Sequence, residues 1–308
     1  MSQSAASAVK SVLDSIRERI ARWGDGPVHV AMDGALFDDL PDMLRRADFE
    51  SRPLFIEQSD PKMRRDGPHA VVFPRERLDD FLILPDVTKG GVFWNVPNCD
   101  AMTFYRHLRG LNMARLPTPA TVELSSGRKT RMVVFRHFDP ASVLVTLPVM
   151  TPTQRARMFG PAHALLLDTQ SRQGTLEARR RNNWPDAEKG PLTFSRAQMD
   201  QVSDAMVARS RHNVMEFLRR EAPGSTSDAS DDVLLFFVKE TERLARHWGL
   251  TTEKGFKAFA WIRLRSNGEA FEMNDVKAFI TDGQAAPDEQ AHAIMQEVMR
   301  RDRKGAER

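Results

Sequence analysis

Apolar positions change their rhythm along this chain. Up to about Asp168, short apolar runs alternate with stretches of helical spacing, and from about Ser195 onward only the helical spacing persists. Val9, Val12, Leu13, Ile16 and Ile20 predict a helix over 6–23, ended by Gly24 and Gly26. A strand is expected over 28–32, stopping at Asp33-Gly34, then a helix through Leu40, Met43 and Leu44. Leu54-Phe55-Ile56 and Ala70-Val71-Val72-Phe73 read as further buried strands, and 104–111 as a helix. Strands over 121–124 and 130–135 flank Ser125-Ser126-Gly127-Arg128, which predicts a hairpin turn. Strands interleaved with helices imply a mixed sheet with helical cover.

The C-terminal pattern is punctuated by caps. Ser195 with Gln198 is a capping box, followed by a stripe of Met199, Val202, Met206, Val214, Phe217 and Leu218. The Gly/Ser/Asp-rich stretch 221–232 reads as a flexible loop. Val233, Phe237, Leu244 and Trp248 mark a second helix, Phe256, Phe259 and Ala260 a third, and Val276, Phe279 and Ile280 a fourth. Pro287 opens the last, with Ala291, Ile294, Met295, Val298 and Met299 on one face. Its acidic first turn and basic end complement the helix dipole. The fold class expected is α+β: a mixed α/β lobe with a central sheet over 1–168, a connector over 169–194 and an all-α lobe over 195–308.

Composition narrows the function classes. The 308 residues carry 45 Lys+Arg against 42 Asp+Glu, a net charge of +3, and 41% are hydrophobic. That near-balance gives little support to a nucleic-acid partner. The single Cys99 excludes an internal disulfide, and the eight histidines never fall three or four residues apart, so neither metal nor cofactor is expected. No apolar run reaches the roughly 18 residues of a membrane span. No secretory signal pattern opens the chain, so a cytoplasmic location is expected.

Phosphate loops, paired-His zinc helices and nucleophile elbows have no counterpart here. Phe135-Arg136-His137-Phe138-Asp139-Pro140 is the densest polar constellation. His137 and Asp139 would share a face of an extended strand as an acid/base or metal pair. Alternatively Asp139 is an N-cap and Pro140 the first helical residue, with Arg136 paired to a carboxylate. Asp33 at its strand end reads either as a general base or as a cap, with Gly34 supplying permissive backbone angles. Thr151-Pro152-Thr153-Gln154 repeats the cap-and-proline pattern. The clusters Arg179-Arg180-Arg181 and 300–304 read as solvated charge or a contact for an acidic protein. Val233-Leu234-Leu235-Phe236-Phe237-Val238 is apolar around more than a full turn. It reads as a central helix of a small bundle, or as a groove where Leu235 or Phe236 receives an apolar partner segment.

The order of motifs adds a resemblance. Val30-Ala31-Met32-Asp33-Gly34-Ala35, Ser51-Arg52-Pro53-Leu54-Phe55, Gly67-Pro68-His69-Ala70-Val71-Val72 and Phe104-Tyr105-Arg106-His107-Leu108-Arg109 come in turn. Val134-Phe135-Arg136-His137-Phe138-Asp139-Pro140 and Met158-Phe159-Gly160-Pro161 follow. Over 28–167 this succession resembles the effector chaperones, or adaptors, of the bacterial type VI secretion system. The resemblance implies a cytoplasmic, non-enzymatic protein that binds the N-terminal part of a toxic effector and helps load it onto the VgrG spike protein. It also implies that Asp33, Gly34, Arg136, Asp139 and Pro140 occupy motif positions, and that the helical half is the variable part. Two rivals remain: a hydrolase using Asp33, His137 and Asp139, and a nucleic-acid-binding accessory protein using Arg179 to Arg181 and the basic tail.

Overall fold

The computed structural model describes residues 3–56, 60–118, 127, 129–171, 174–271, 273–281 and 285–306. It is α+β and divides into two compact units, 1–203 and 204–308.

In the first unit, strands β1 (Val28–Asp33), β2 (Ser51–Pro53), β3 (Pro68–Phe73), β4 (Gly91–Asn95), β7 (Ala164–Asp168) and β8 (Thr175–Arg179) form a six-stranded sheet. The order is β2-β3-β1-β4-β7-β8, with every pair antiparallel. This corrects the mixed sheet expected from the interleaved helices. The strands read as unbroken apolar runs because both faces are covered, which hides the usual in/out alternation of antiparallel strands. Val30, Met32, Phe93 and Leu166 pack with Ile16, Ile20, Leu44 and Phe81 on one face. Ala31, Trp94, Leu165 and Leu167 pack with Phe104, Leu108, Val143 and Phe159 on the other.

The second sheet is small, with β5 (Met113–Pro117) between β6 (Thr130–Val134) and β9 (Leu192–Thr193). Only here does a parallel pairing occur among the described residues, between β5 and β9. The strand at 113–117 was missed because only Ala114 is fully buried. The expected strand at 121–124 and the turn at 125–128 lie largely outside the described residues. The strand expected at 54–56 falls three residues earlier, at β2.

The stretch 169–194 is not a connector. β8 is the sixth strand of the main sheet, and its Glu177 is sealed by Trp23 Nε1, which donates to Oε1 at 3.0 Å. Leu192 and Phe194 enter the first core, and Trp184 packs edge-on against Phe159. The boundary lies instead inside the Arg196–Glu221 helix. Met199 of this helix packs against the first core, Val214, Met215 and Leu218 serve the second, and Met206 between them is exposed.

The second unit is helical. Its centre is the Glu253–Arg265 helix, buried on nearly every side through Phe256, Ala258, Phe259, Ala260, Trp261 and Ile262. The Asp231–His247 and Pro287–Ala306 helices pack against it. The 221–232 stretch contains a helical turn, Pro223–Thr226, with Thr226 buried and its Oγ1 donating to Ala222 O at 3.0 Å. Asp288 ties the unit together by accepting the backbone N–H and hydroxyl groups of Thr251 and Thr252.

Candidate functional site

Asp33 ends β1 in the middle of the main sheet, and its buried carboxylate caps the 3-10 turn Gly34–Leu36 by accepting Ala35 N at 3.3 Å. Asp139 caps the Pro140–Thr146 helix, accepting Ala141 N at 2.9 Å and Ser142 Oγ at 2.8 Å. Arg136 joins the two, with Nη2 on Asp33 and Nε 3.4 Å from Asp139 Oδ2. Asp33, 103 residues from Arg136 in sequence, therefore meets Arg136 and Asp139 in one carboxylate–guanidinium–carboxylate bridge. Burial raises the Asp33 carboxyl above its ordinary range, and the Asp139 charge adds to that rise while Arg136 opposes it.

Gly34 also belongs to this centre, though for a different reason than its backbone angles. Its φ is not left-handed; instead a Cβ there would fall against the carbonyl oxygen of Gly67. Gly160 of the Phe-Gly-Pro motif does have a positive φ of 52°, and a side chain there would strike the His107 ring. Pro140 opens its helix at the position that lacks an N–H partner.

His137 does not join Asp33 or Asp139. Its ring is fully buried, with Nε2 3.1 Å from Asn112 Oδ1, and Asn112 Nδ2 in turn donates to Leu54 O at 2.8 Å. The acceptor opposite places the proton on Nε2, and Nδ1 has no hydrogen-bond partner. Burial drives this imidazole down to about 3, so it stays neutral. The three side chains of the hydrolase reading are thus split between a salt bridge and a sealed core position. Among the described residues, no group of three or more His, Cys, Asp or Glu is placed to hold a metal.

The Asp231–His247 helix shows where its apolar run goes. Leu234, Val238, Thr241 and Ala245 face the core, while Leu235 is half-buried against it. Val233 and Phe236 turn outward, 61% and 67% exposed. This corrects the central-helix reading, because the Glu253–Arg265 helix takes the centre and leaves the opposite face of this run uncovered. Three residues apart, Val233 and Phe236 share one side of the helix.

The basic clusters do not form a stacking platform. Arg179 pairs with Glu177 at 2.8 Å, Arg180 Nη1 donates to Gly160 O at 2.5 Å, and Trp184 is engaged with Phe159. Arg300 and Arg301 both pair with Glu297. Cys99 is half-buried, and burial raises its thiol. No helix among the described residues is long and apolar enough to cross a membrane.

A second exposed apolar group escaped the sequence reading. Met113, Met132 and Val134 lie exposed on one face of the β5–β6 pair, where Val134 stands opposite Met113. Alternation in Thr130-Arg131-Met132-Val133-Val134 was the available signal, masked because Val133 and Val134 are both apolar. Comparison of the chain with protein-family models, with curated proteins and with solved structures gives no match.

Proposed function

We propose that this chain is a cytoplasmic, non-enzymatic adaptor that holds a type VI secretion effector and assists its loading onto the VgrG spike protein. The observation that carries this reading is the uncovered Val233–Phe236 face on a helix whose other face is well packed. An exposed phenylalanine beside a valine makes an adjoining apolar pair that a partner surface can cover. The motif residues support the same reading. Asp33, Arg136, Asp139 and His137 are spent on capping, bridging and core packing, and none presents a free nucleophile or base.

Co-expression with type VI effectors from the same genome tests it. One effector should co-purify with the chain and gain solubility. Phe236→Asp should lower its recovery at least about tenfold, the change expected when an apolar anchor of about 1.5–3 kcal/mol is replaced by a charge. Absence of any co-purifying effector sinks the adaptor reading.

A further inference from the structure

We propose that the edge of β6 left unpaired among the described residues is a docking strand for an extended segment of the bound effector, one whose side chains alternate apolar and acidic. The proposal rests on the adaptor reading and assigns where an extended part of the partner is held.

The hydrogen-bond phase of the β5–β6 ladder supplies the first argument. Phe135 N donates to Asn112 O at 2.8 Å, and Thr118 N to Lys129 O at 3.0 Å. Hydrogen-bonded pairs recur at every second residue of an antiparallel ladder. Lys129, Arg131, Val133 and Phe135 therefore turn their backbone groups toward β5. Thr130, Met132 and Val134 turn theirs toward the open edge, since β6 ends its sheet. Pro117 fits this phase, because it stands opposite Thr130, where no N–H is needed for β6. Among the described residues, no hydrogen bond engages the outward groups of these three residues.

The side chains supply the second argument. Met113, Met132 and Val134 are 39%, 44% and 51% exposed on one face of the pair, which also carries Thr130 and, on β5 opposite Met132, Arg115. On the other face of β6, where Val133 and Phe135 pack into the first core, Lys129 and Arg131 are exposed and have no ion-pair partner among the described residues. A strand laid along this edge would set alternate residues beside Met132 and Val134 on one side and beside Lys129 and Arg131 on the cationic side. Its best match is an apolar/acidic alternation. A second copy of β6 is a poor occupant, because it would bring two more cations onto the cationic face. The main sheet guards its own edge differently: β2 is three residues long and ends in Pro53.

The test uses the full chain and the effector that co-purifies with it. Residue-resolved amide hydrogen exchange is compared for the free and bound chain. Thr130, Met132 and Val134 should slow at least about tenfold on binding, while Arg131 and Val133, already bonded within the sheet, change little. Met132→Pro removes one outward N–H without touching a bond to β5, and should weaken the complex about tenfold. Arg131→Glu should weaken it several-fold. A complex that forms while Thr130, Met132 and Val134 exchange as fast as in the free chain overturns the edge proposal and leaves the adaptor reading intact. No complex with any effector overturns both. Protection that arises in the chain alone and grows with its concentration identifies a second copy as the occupant and overturns the acidic-strand assignment.

Discussion

Asp139 illustrates how far single residues speak for themselves. An Asp followed by Pro and then Val143, Leu144 and Leu147 predicts a cap and a first-turn proline, and both are present. The Thr151 and Ser195 capping boxes are also formed, each with reciprocal bonds to Gln three residues on. Such motifs are legible because their partners lie within one helical turn. Gly34 was legible as a glycine and not as a contact, since Gly67 approaches it from the bend that leads into β3. We predict that Gly34→Ala destabilises the first unit by about 1–3 kcal/mol, because the new methyl must displace backbone rather than a flexible side chain. The midpoint of chemical denaturation reads this, and an unchanged midpoint would show that the strands part freely.

At the scale of elements, periodicity identified the helices of the second unit but not their ranks. The Val233–Val238 run looked like the buried centre, yet the Glu253–Arg265 helix occupies it. Its small residues Gly255, Ala258 and Ala260 allow neighbours to close in on several sides, as the tight approach of Asp288 to Gly255 shows. The two phenylalanines should therefore behave oppositely. Phe259→Ala should cost about 3–5 kcal/mol of stability, whereas Phe236→Ala should stay within about 0.5 kcal/mol. Thermal unfolding of the two variants decides this, and a large loss at Phe236 would mean that it is packed rather than free to bind. Strand β8 failed for another reason: its half-polar Thr-Leu-Glu-Ala-Arg reads as loop until Arg19 of the Gln3–Ala21 helix and Trp23 in the turn after it cover its polar side.

At the scale of the whole molecule, the imidazoles shifted by burial all lie in the first unit. His29 and His107 are held down to about 4 and His137 to about 3, in each case mainly by burial. An unfolded chain takes up these protons near pH 6.5, while the folded unit refuses them until near pH 4 or below. Stability is therefore present above about pH 6.5 and is lost as pH falls from there toward about pH 3. Asp33, with its carboxyl raised, works in the opposite direction and softens the acid end of that loss. Amide exchange followed between about pH 7 and about pH 4 should show the first core opening. His137→Gln, which retains a donor toward Asn112, should reduce the pH dependence; an equal dependence in the variant would place the acid sensitivity elsewhere.

By itself the sequence determined the fold class, most helix positions, the caps and the capping role of Asp139, because these follow from periodicity and from bonds within one or two turns. It also offered Leu235 or Phe236 as an apolar position for a partner, of which the fold leaves only Phe236 exposed. Tertiary structure alone decided the antiparallel order of the main sheet, the entry of 169–194 into the first unit and the boundary within the Arg196–Glu221 helix. It alone joined Asp33 to Arg136 and Asp139, separated His137 from them, left Phe236 exposed and, among the described residues, left the edge of β6 unpaired. The physical reason is range: caps and stripes are written in neighbouring residues. Burial, register and the meeting of distant charges depend on which surfaces the rest of the chain brings up against them.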